Sequence, residues 1–386
     1  MAAVELQGLC DARFKRVREV FEAGFASGAE LGAALCIYLD GRPIVDLWGG
    51  FADKDGGAPW RHDTLANVYS TTKGITALCA HQLVERGELD LDAPVARYWP
   101  EFAQNGKAEL PVRLLLSHRA GLPAIAKPLA PADIFDWGTM TTALAEQKPW
   151  WTPGTKHGYH AITYGWLVGE LVRRVSGMSI GRYVREHVSA PLGAEFWIGL
   201  PAELDARTAD LVQGPIVTGD GPNMMEIIAK DPEGMLAKTF ANPMLFGISP
   251  NSRDWRAAEL AAANGHTTGH ALARIYAALA QGGTLDSVRI LGREAIERAR
   301  VVQSEGQDAV LPMVTRFGLG FMVPPDQEPL GPNPRVFGHG GAGGSLGLAD
   351  PEARIGFGYV MNRMHTGLWL VDPRPRALLA ALYSSL

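Results

Sequence analysis

Ser70-Thr71-Thr72-Lys73 opens a helical pattern that continues to about Arg86 and stops at Gly87, a residue suited to a helix C-terminus. If Ser70 begins that helix, its hydroxyl and the Lys73 ammonium lie one turn apart on the same face. A serine hydroxyl attacks carbonyls poorly until a neighbouring base takes its proton. A lysine becomes such a base once desolvation or a nearby cation lowers its pKa. The helix start adds positive potential and a free backbone N–H, both suited to a developing oxyanion. With 13 serines and 9 lysines in 386 residues, chance supplies roughly 0.3 matches to Ser-x-x-Lys, so the tetrapeptide needs support from elsewhere in the chain.

Two later segments supply it. Trp151-Thr152-Pro153-Gly154 reads as a turn, and Tyr159-His160-Ala161 comes just before a helical pattern over 162–176 that Gly177 closes. A tyrosine held on a loop is free to relay a proton; the plainer alternative is a packed or surface tyrosine. Gly338-His339-Gly340-Gly341-Ala342-Gly343-Gly344-Ser345 falls between two strand patterns. Glycines this dense let a strand edge approach a ligand closely and present backbone N–H groups. The plainer alternative there is a loop or a bulged strand.

Outward from these segments, residues 5–26 place Leu6, Leu9, Val17, Val20, Phe21 and Phe25 at three-to-four spacing, which predicts an amphipathic helix. Residues 33–39 and 43–48 flank Asp40-Gly41, a hairpin signal. Helical patterns follow at 180–188 and 268–281, strand patterns at 316–323, 345–349 and 355–361, and a terminal helix at 374–386. The expected fold is α+β: a mainly antiparallel sheet flanked by helices, plus a mostly helical domain. Residues 1–88 and 306–386 would build the sheet domain, residues 89–305 the helical domain, and the active site would lie between them.

The three elements, in this order, resemble the serine β-lactamase and penicillin-binding-protein superfamily. More closely, the chain resembles its class C-like carboxylesterases, the family VIII esterases. The resemblance also takes in Leu115-Leu116-Ser117-His118-Arg119-Ala120-Gly121-Leu122-Pro123, Gly165-Trp166-Leu167-Val168-Gly169-Glu170 and Asn264-Gly265. It implies Ser70 as the acylated nucleophile, with Lys73 and Tyr159 sharing the base and acid roles in an order the sequence leaves open. It implies an oxyanion hole from the backbone N–H groups of Ser70 and Ala342. His160, His339, Gly340, Gly341 and Trp151 would line the substrate site. Two departures bear on substrate. Ala161 stands two places after the tyrosine, where the lactamase and peptidase pattern has Asn, and His339 stands where its third motif begins with Lys or a similar cation. Both missing groups help to bind amides and carboxylates, so an uncharged ester is the expected substrate. No lipid-binding lid is evident, so a short-chain or small acyl group is expected. A β-lactamase or D-alanyl-D-alanine carboxypeptidase is the alternative enzyme, and a non-catalytic ligand-binding protein is the alternative outside enzymes.

Gly343-Gly344-Ser345-Leu346-Gly347 also satisfies Gly-x-Ser-x-Gly, the nucleophile elbow of α/β-hydrolases, which requires a following helix. The residues after Ser345 read as a strand, so the match is taken as a glycine-rich strand. The pairs His157/His160 and His266/His270 lack a metal-binding pattern, and neither a metal nor an organic cofactor is expected. Trp150 and Trp151 are candidates for an apolar wall near Tyr159. At 36 Lys plus Arg against 41 Asp plus Glu, the net charge of −5 lacks the basic footprint of a nucleic-acid binder. Cys10, Cys36 and Cys79 match no disulfide or zinc spacing and are expected as thiols in a reducing compartment. The charged start of the chain and the lack of a ~20-residue apolar run predict a cytoplasmic protein that does not enter membranes.

Overall fold

The computed structural model describes residues 4–214, 223–368 and 370–386. Asp40 and Gly41 both take left-handed backbone angles (φ 50° and 79°), as a two-residue hairpin turn requires. They join β2 (Gly32–Leu39) to β3 (Arg42–Gly50), and β1 (Gln7–Cys10) pairs with the outer edge of β3. The C-terminal strands are β4 (Phe337–Gly340), β5 (Leu346–Asp350) and β6 (Ile355–Met361). The six form one antiparallel sheet in the order β1-β3-β2-β6-β5-β4, closed in the middle where β2 pairs with β6.

Seven helices matter here: α1 (Lys15–Ala26), α2 (Thr72–Glu85), α3 (Thr163–Ser176), α4 (Met224–Lys230), α5 (Met235–Ala241), α6 (Gly269–Ala280) and α7 (Pro373–Tyr383). Val17 and Phe21 of α1 and Leu378, Leu379 and Leu382 of α7 pack with Leu35, Ile37, Val45, Leu47 and Phe357 on one face of the sheet. Helix α6 lies on the other face, and glycines set how close it comes. A Cβ on Gly356 or Gly358 would lie 2.3 or 2.4 Å from the backbone nitrogens of Ala277 and Ala273. Behind α6, α2 is buried over twelve of its fourteen residues, so it is a central helix rather than an amphipathic surface one. Among the described residues, no helix is long and apolar enough to cross a membrane.

Two expectations fail locally. Residues 5–26 are not one helix, because Gln7–Cys10 is a strand and α1 starts only at Lys15. Gly8 sits at φ 102° with its Cα against the Asp46 carbonyl, and Leu6 is buried while Leu9 is exposed. Strand pairing to distant β3 thus overrides the local helical spacing. Residues 316–323 are not one strand either. Val314–Phe317 pairs with Ser304–Gln307, the chain then turns through Gly320 at φ 89°, and Met322 returns to bridge Gly338.

Candidate active site

The turn that presents Ser70 is built from backbone. Thr71 N donates to Val68 O (3.1 Å), Thr72 N to Tyr69 O (3.0 Å) and Lys73 N to Ser70 O (2.9 Å). Tyr69 carries φ 40°, a left-handed conformation that costs a non-glycine residue roughly 1 kcal/mol. Ser70 therefore lies in the turn leading into α2, whose first residue is Thr72, rather than inside the helix. The side-chain relation expected from the spacing holds, with Lys73 Nζ 2.9 Å from Ser70 Oγ.

Lys73 is fully buried, and its other two partners are main-chain carbonyls, Ala161 O at 2.7 Å and Ala262 O at 2.9 Å. Among the described residues no carboxylate compensates its charge, and burial pushes the ammonium well below its usual pKa. The neutral amine fits these three neighbours. Its two N–H groups stay on the two carbonyls, and its lone pair faces Ser70 Oγ, which becomes the donor. The segment supplying Ala262 is strapped to α2 by Thr76 Oγ1, donating to Ala261 O at 2.6 Å, and by Gly265 N, donating to Thr72 Oγ1 at 2.8 Å.

Tyr159 belongs to the same group. Burial raises its phenol above the usual range, outweighing the opposite pull of nearby Ser70, so it stays protonated. Lys73 Nζ sits 4.8 Å from the centroid of its ring, which stacks on Phe317 (5.8 Å, 12°). Its loop is held by Asp308. One oxygen of that carboxylate accepts the N–H groups of Tyr159 (3.0 Å), Val310 (2.8 Å) and Leu311 (2.9 Å), and the other accepts the Thr315 hydroxyl (2.9 Å). Asp308 is 149 residues from Tyr159 in sequence, and no local signal marked it.

The glycine-rich segment abuts the Ser70 turn. A Cβ on Gly341 would lie 2.2 Å from Val68 O and 2.3 Å from Ser345 Oγ, so only glycine fits there. Ser345 Oγ donates to Val68 O (2.8 Å) and lies 3.0 Å from Thr71 Oγ1. Ser345 is buried and leads into strand β5, so it fastens the turn and is no elbow nucleophile. The backbone N–H groups of Ser70 and Ala342 find no acceptor among the described residues.

The other expected residues divide. Trp151 packs against the apolar cluster of Tyr159, Ala161, Leu236, Val310, Leu311 and Phe317. His339 lies on β4 with its ring 6.2 Å from that of Tyr159, and its Nδ1 donates to Gly340 O at 2.7 Å. Burial takes its pKa down to about 3, so it is neutral. His160 is buried with both nitrogens engaged: Nδ1 donates to Gly158 O (2.7 Å) and Nε2 accepts from Leu122 N (3.0 Å). His160 thus shapes the tyrosine loop and keeps no free ring nitrogen to offer a substrate. His118 holds the same loop, accepting from His160 N at 3.1 Å. His266 and His270 do not pair, since one lies on the short strand His266–Thr267 and the other on α6.

A family profile described as beta-lactamase matches residues 17–381. The chain belongs to the β-lactamase family. Within it, a solved structure described as a family VIII carboxylesterase is 41% identical, with a TM-score of 0.90, covering 99% of this chain and 100% of that one. A penicillin-binding-protein homologue from Caulobacter crescentus matches with the same identity, TM-score and coverage. The esterase/β-lactamase LipL of Mycobacterium tuberculosis is 36% identical over 373 residues, spanning 95% of this chain and 85% of LipL. The resemblance drawn from the ordered motifs therefore extends over nearly the whole chain, and this β-lactamase-family member is a serine hydrolase.

The structure also carries two short helices that the sequence did not announce. Met224, Ile227 and Ile228 of α4 and Met235, Leu236 and Phe240 of α5 join the apolar cluster around Tyr159.

Proposed function

We propose that this protein is a serine carboxylesterase that hydrolyses small, uncharged esters through an acyl-Ser70 intermediate. The observation that carries this reading is the uncompensated burial of Lys73 against Ser70 Oγ and two carbonyls. The neutral amine accepts the Ser70 proton as Oγ bonds to the ester carbonyl carbon. The resulting oxyanion is received by the N–H groups of Ser70 and Ala342. Tyr159 gives its proton to the departing alkoxide and regains one from Lys73. Water then repeats the sequence on the acyl-enzyme, releasing the acid and restoring Ser70. No metal or organic cofactor enters this chemistry.

Substrate preference follows from what stands beside these groups. Ala161 offers Lys73 its carbonyl but has no side-chain amide for a substrate. His339, neutral by burial, offers no cation to a carboxylate. The apolar wall from α4, α5 and Trp151 favours a hydrocarbon acyl or alcohol group. The ester would lie between the β4 edge and the helical part of the chain. Cys36 and Cys79 are buried free thiols, which fits a reducing, cytoplasmic setting.

The test is hydrolysis of a chromogenic short-chain ester by wild type, Ser70→Ala and Ser345→Ala, alongside a cephalosporin. Turnover falls by about 10³-fold or more in Ser70→Ala and survives in Ser345→Ala, and the ester is the better substrate. Unchanged ester turnover in Ser70→Ala would overturn the mechanism, and faster cephalosporin cleavage would overturn the substrate class.

A further inference from the structure

A second cluster of reactive side chains lies apart from Ser70, where β2, β3, the loop before Ala66–Asn67 and the start of α6 meet. Cys36 and Asp46 are register partners on β2 and β3, so their side chains leave the same face of the sheet. His270, on the first turn of α6, comes down on them. Its Nδ1 is 3.8 Å from Cys36 Sγ and 2.9 Å from Asp46 Oδ2. His62 arrives from the loop with Nε2 3.2 Å from the same Asp46 oxygen, its ring 5.3 Å from that of His270. The ligand atoms of Cys36, Asp46 and His270 all lie within 4.8 Å of one another.

The geometry points to a zinc site formed by Cys36, Asp46 and His270, with His62 as the fourth ligand. Tetrahedral zinc, with bonds of ~2.3 Å to sulfur and ~2.0–2.1 Å to nitrogen and oxygen, sets neighbouring ligand atoms roughly 3.3–3.6 Å apart. The separations of 3.8 and 2.9 Å around His270 bracket that spacing, so small rotamer shifts close the site on Cys36, Asp46 and His270. His62, 3.2 Å from Asp46 and half-exposed, would swing in to complete it. A thiolate, two imidazoles and one carboxylate suit zinc better than magnesium or calcium, which take oxygen ligands. Tyr38 supplies the outer partner that metal-bound imidazoles require, its hydroxyl 3.2 Å from His270 Nε2. The protons balance. Cys36 releases its thiol proton to solvent, and each histidine shifts its proton to the nitrogen facing away from the metal. Tyr38 then accepts from His270 Nε2. Arg274, 3.5 Å from the Tyr38 hydroxyl, is the neighbouring cation, and it is paired with Asp286.

None of the four ligands contacts Ser70, Lys73 or Tyr159, so the ion would act as a staple. It would join the sheet to α6 and to the loop running into Ala66–Asn67, the short strand just ahead of the nucleophile turn.

The experiment is titration of the chelator-stripped full chain with zinc and, separately, with cobalt(II). One equivalent of zinc binds, one proton leaves per ion in mildly alkaline buffer, and the thermal midpoint rises. Cobalt gives the near-ultraviolet charge-transfer band of a thiolate ligand. Cys36→Ser abolishes that band and weakens zinc binding more than about 100-fold. His62→Ala, a change at a half-exposed side chain that leaves the core intact, weakens it about 10-fold or more. A wild-type protein that binds cobalt without the thiolate band, or zinc with affinity unmoved by His62→Ala, would show only a hydrogen-bonded cluster and overturn the proposal.

Discussion

A buried lysine with no counter-ion is costly, and Lys73 shows what such a cost can be used for. Its two carbonyl partners satisfy a neutral amine completely, leaving the lone pair for Ser70. The pH dependence follows in sign. Burial lowers the folded pKa well below the ordinary lysine value, so the active neutral amine persists on the alkaline side. Activity is lost as pH falls through the folded value. The acid limb of kcat/KM therefore belongs to Lys73, while Tyr159, raised by burial, stays protonated across the working range. Lys73→Arg places a permanently protonated group at the same point. It lowers kcat/KM by about 10²–10⁴-fold, the usual contribution of a general base. Near-ultraviolet circular dichroism would confirm that the variant still folds. Ester hydrolysis by Lys73→Arg at wild-type rates would remove Lys73 from the proton path.

At the scale of elements, the site is three loops pinned by side chains far away in sequence, and Asp308 is the clearest pin. Removing its carboxylate strands three buried N–H donors, each costing about 1 kcal/mol or more. Asp308→Ala is expected to destabilise the protein by roughly 3 kcal/mol and to lower kcat with KM little changed, because Tyr159 loses its register. Asp308→Asn keeps one acceptor oxygen and recovers part of kcat, which a purely structural role would not require. A KM-only effect would contradict this positioning role. The same contrast explains what was legible in the sequence. The Asp40-Gly41 hairpin, the α2 start and the glycine-rich strand announce themselves through neighbours two to four residues apart. Asp308 acts across 149 residues and Gly8 against β3, so no local pattern carries either. The apolar positions of α4 and α5 are spaced like any packed helix. That they face Tyr159 is a property of the fold, which is why the apolar wall expected from sequence took in only Trp150 and Trp151.

Across the whole molecule, the two ends of the chain are tied to the glycine-rich turn by one buried charge network. Arg374, at the start of α7, donates to Glu30 (3.1 Å), to Asp372 (3.0 Å) and to the main-chain carbonyls of Gly343, Ala29 and Arg363. Gly343 follows Ala342, so the guanidinium steadies the turn that carries one oxyanion N–H. Tyr359 on β6 donates its hydroxyl to the other Glu30 oxygen. Burial raises Glu30 from 4.5 to about 7, outweighing the attraction of Arg374. Folded Glu30 thus keeps a proton that the unfolded chain releases between pH 4.5 and 7. Its contribution to stability is complete below pH 4.5 and is lost as pH rises through about 7, a swing of roughly 3 kcal/mol by linkage. Other carboxylates titrate in the same window, so the informative quantity is the difference between wild type and Glu30→Gln. Gln keeps an acceptor for Tyr359 and has no proton to lose. Relative to wild type, Glu30→Gln should gain stability from pH 5 to about pH 7 and level off above that in denaturant unfolding. A constant difference would mean Glu30 is ionised throughout, with Arg374 and not burial governing its charge.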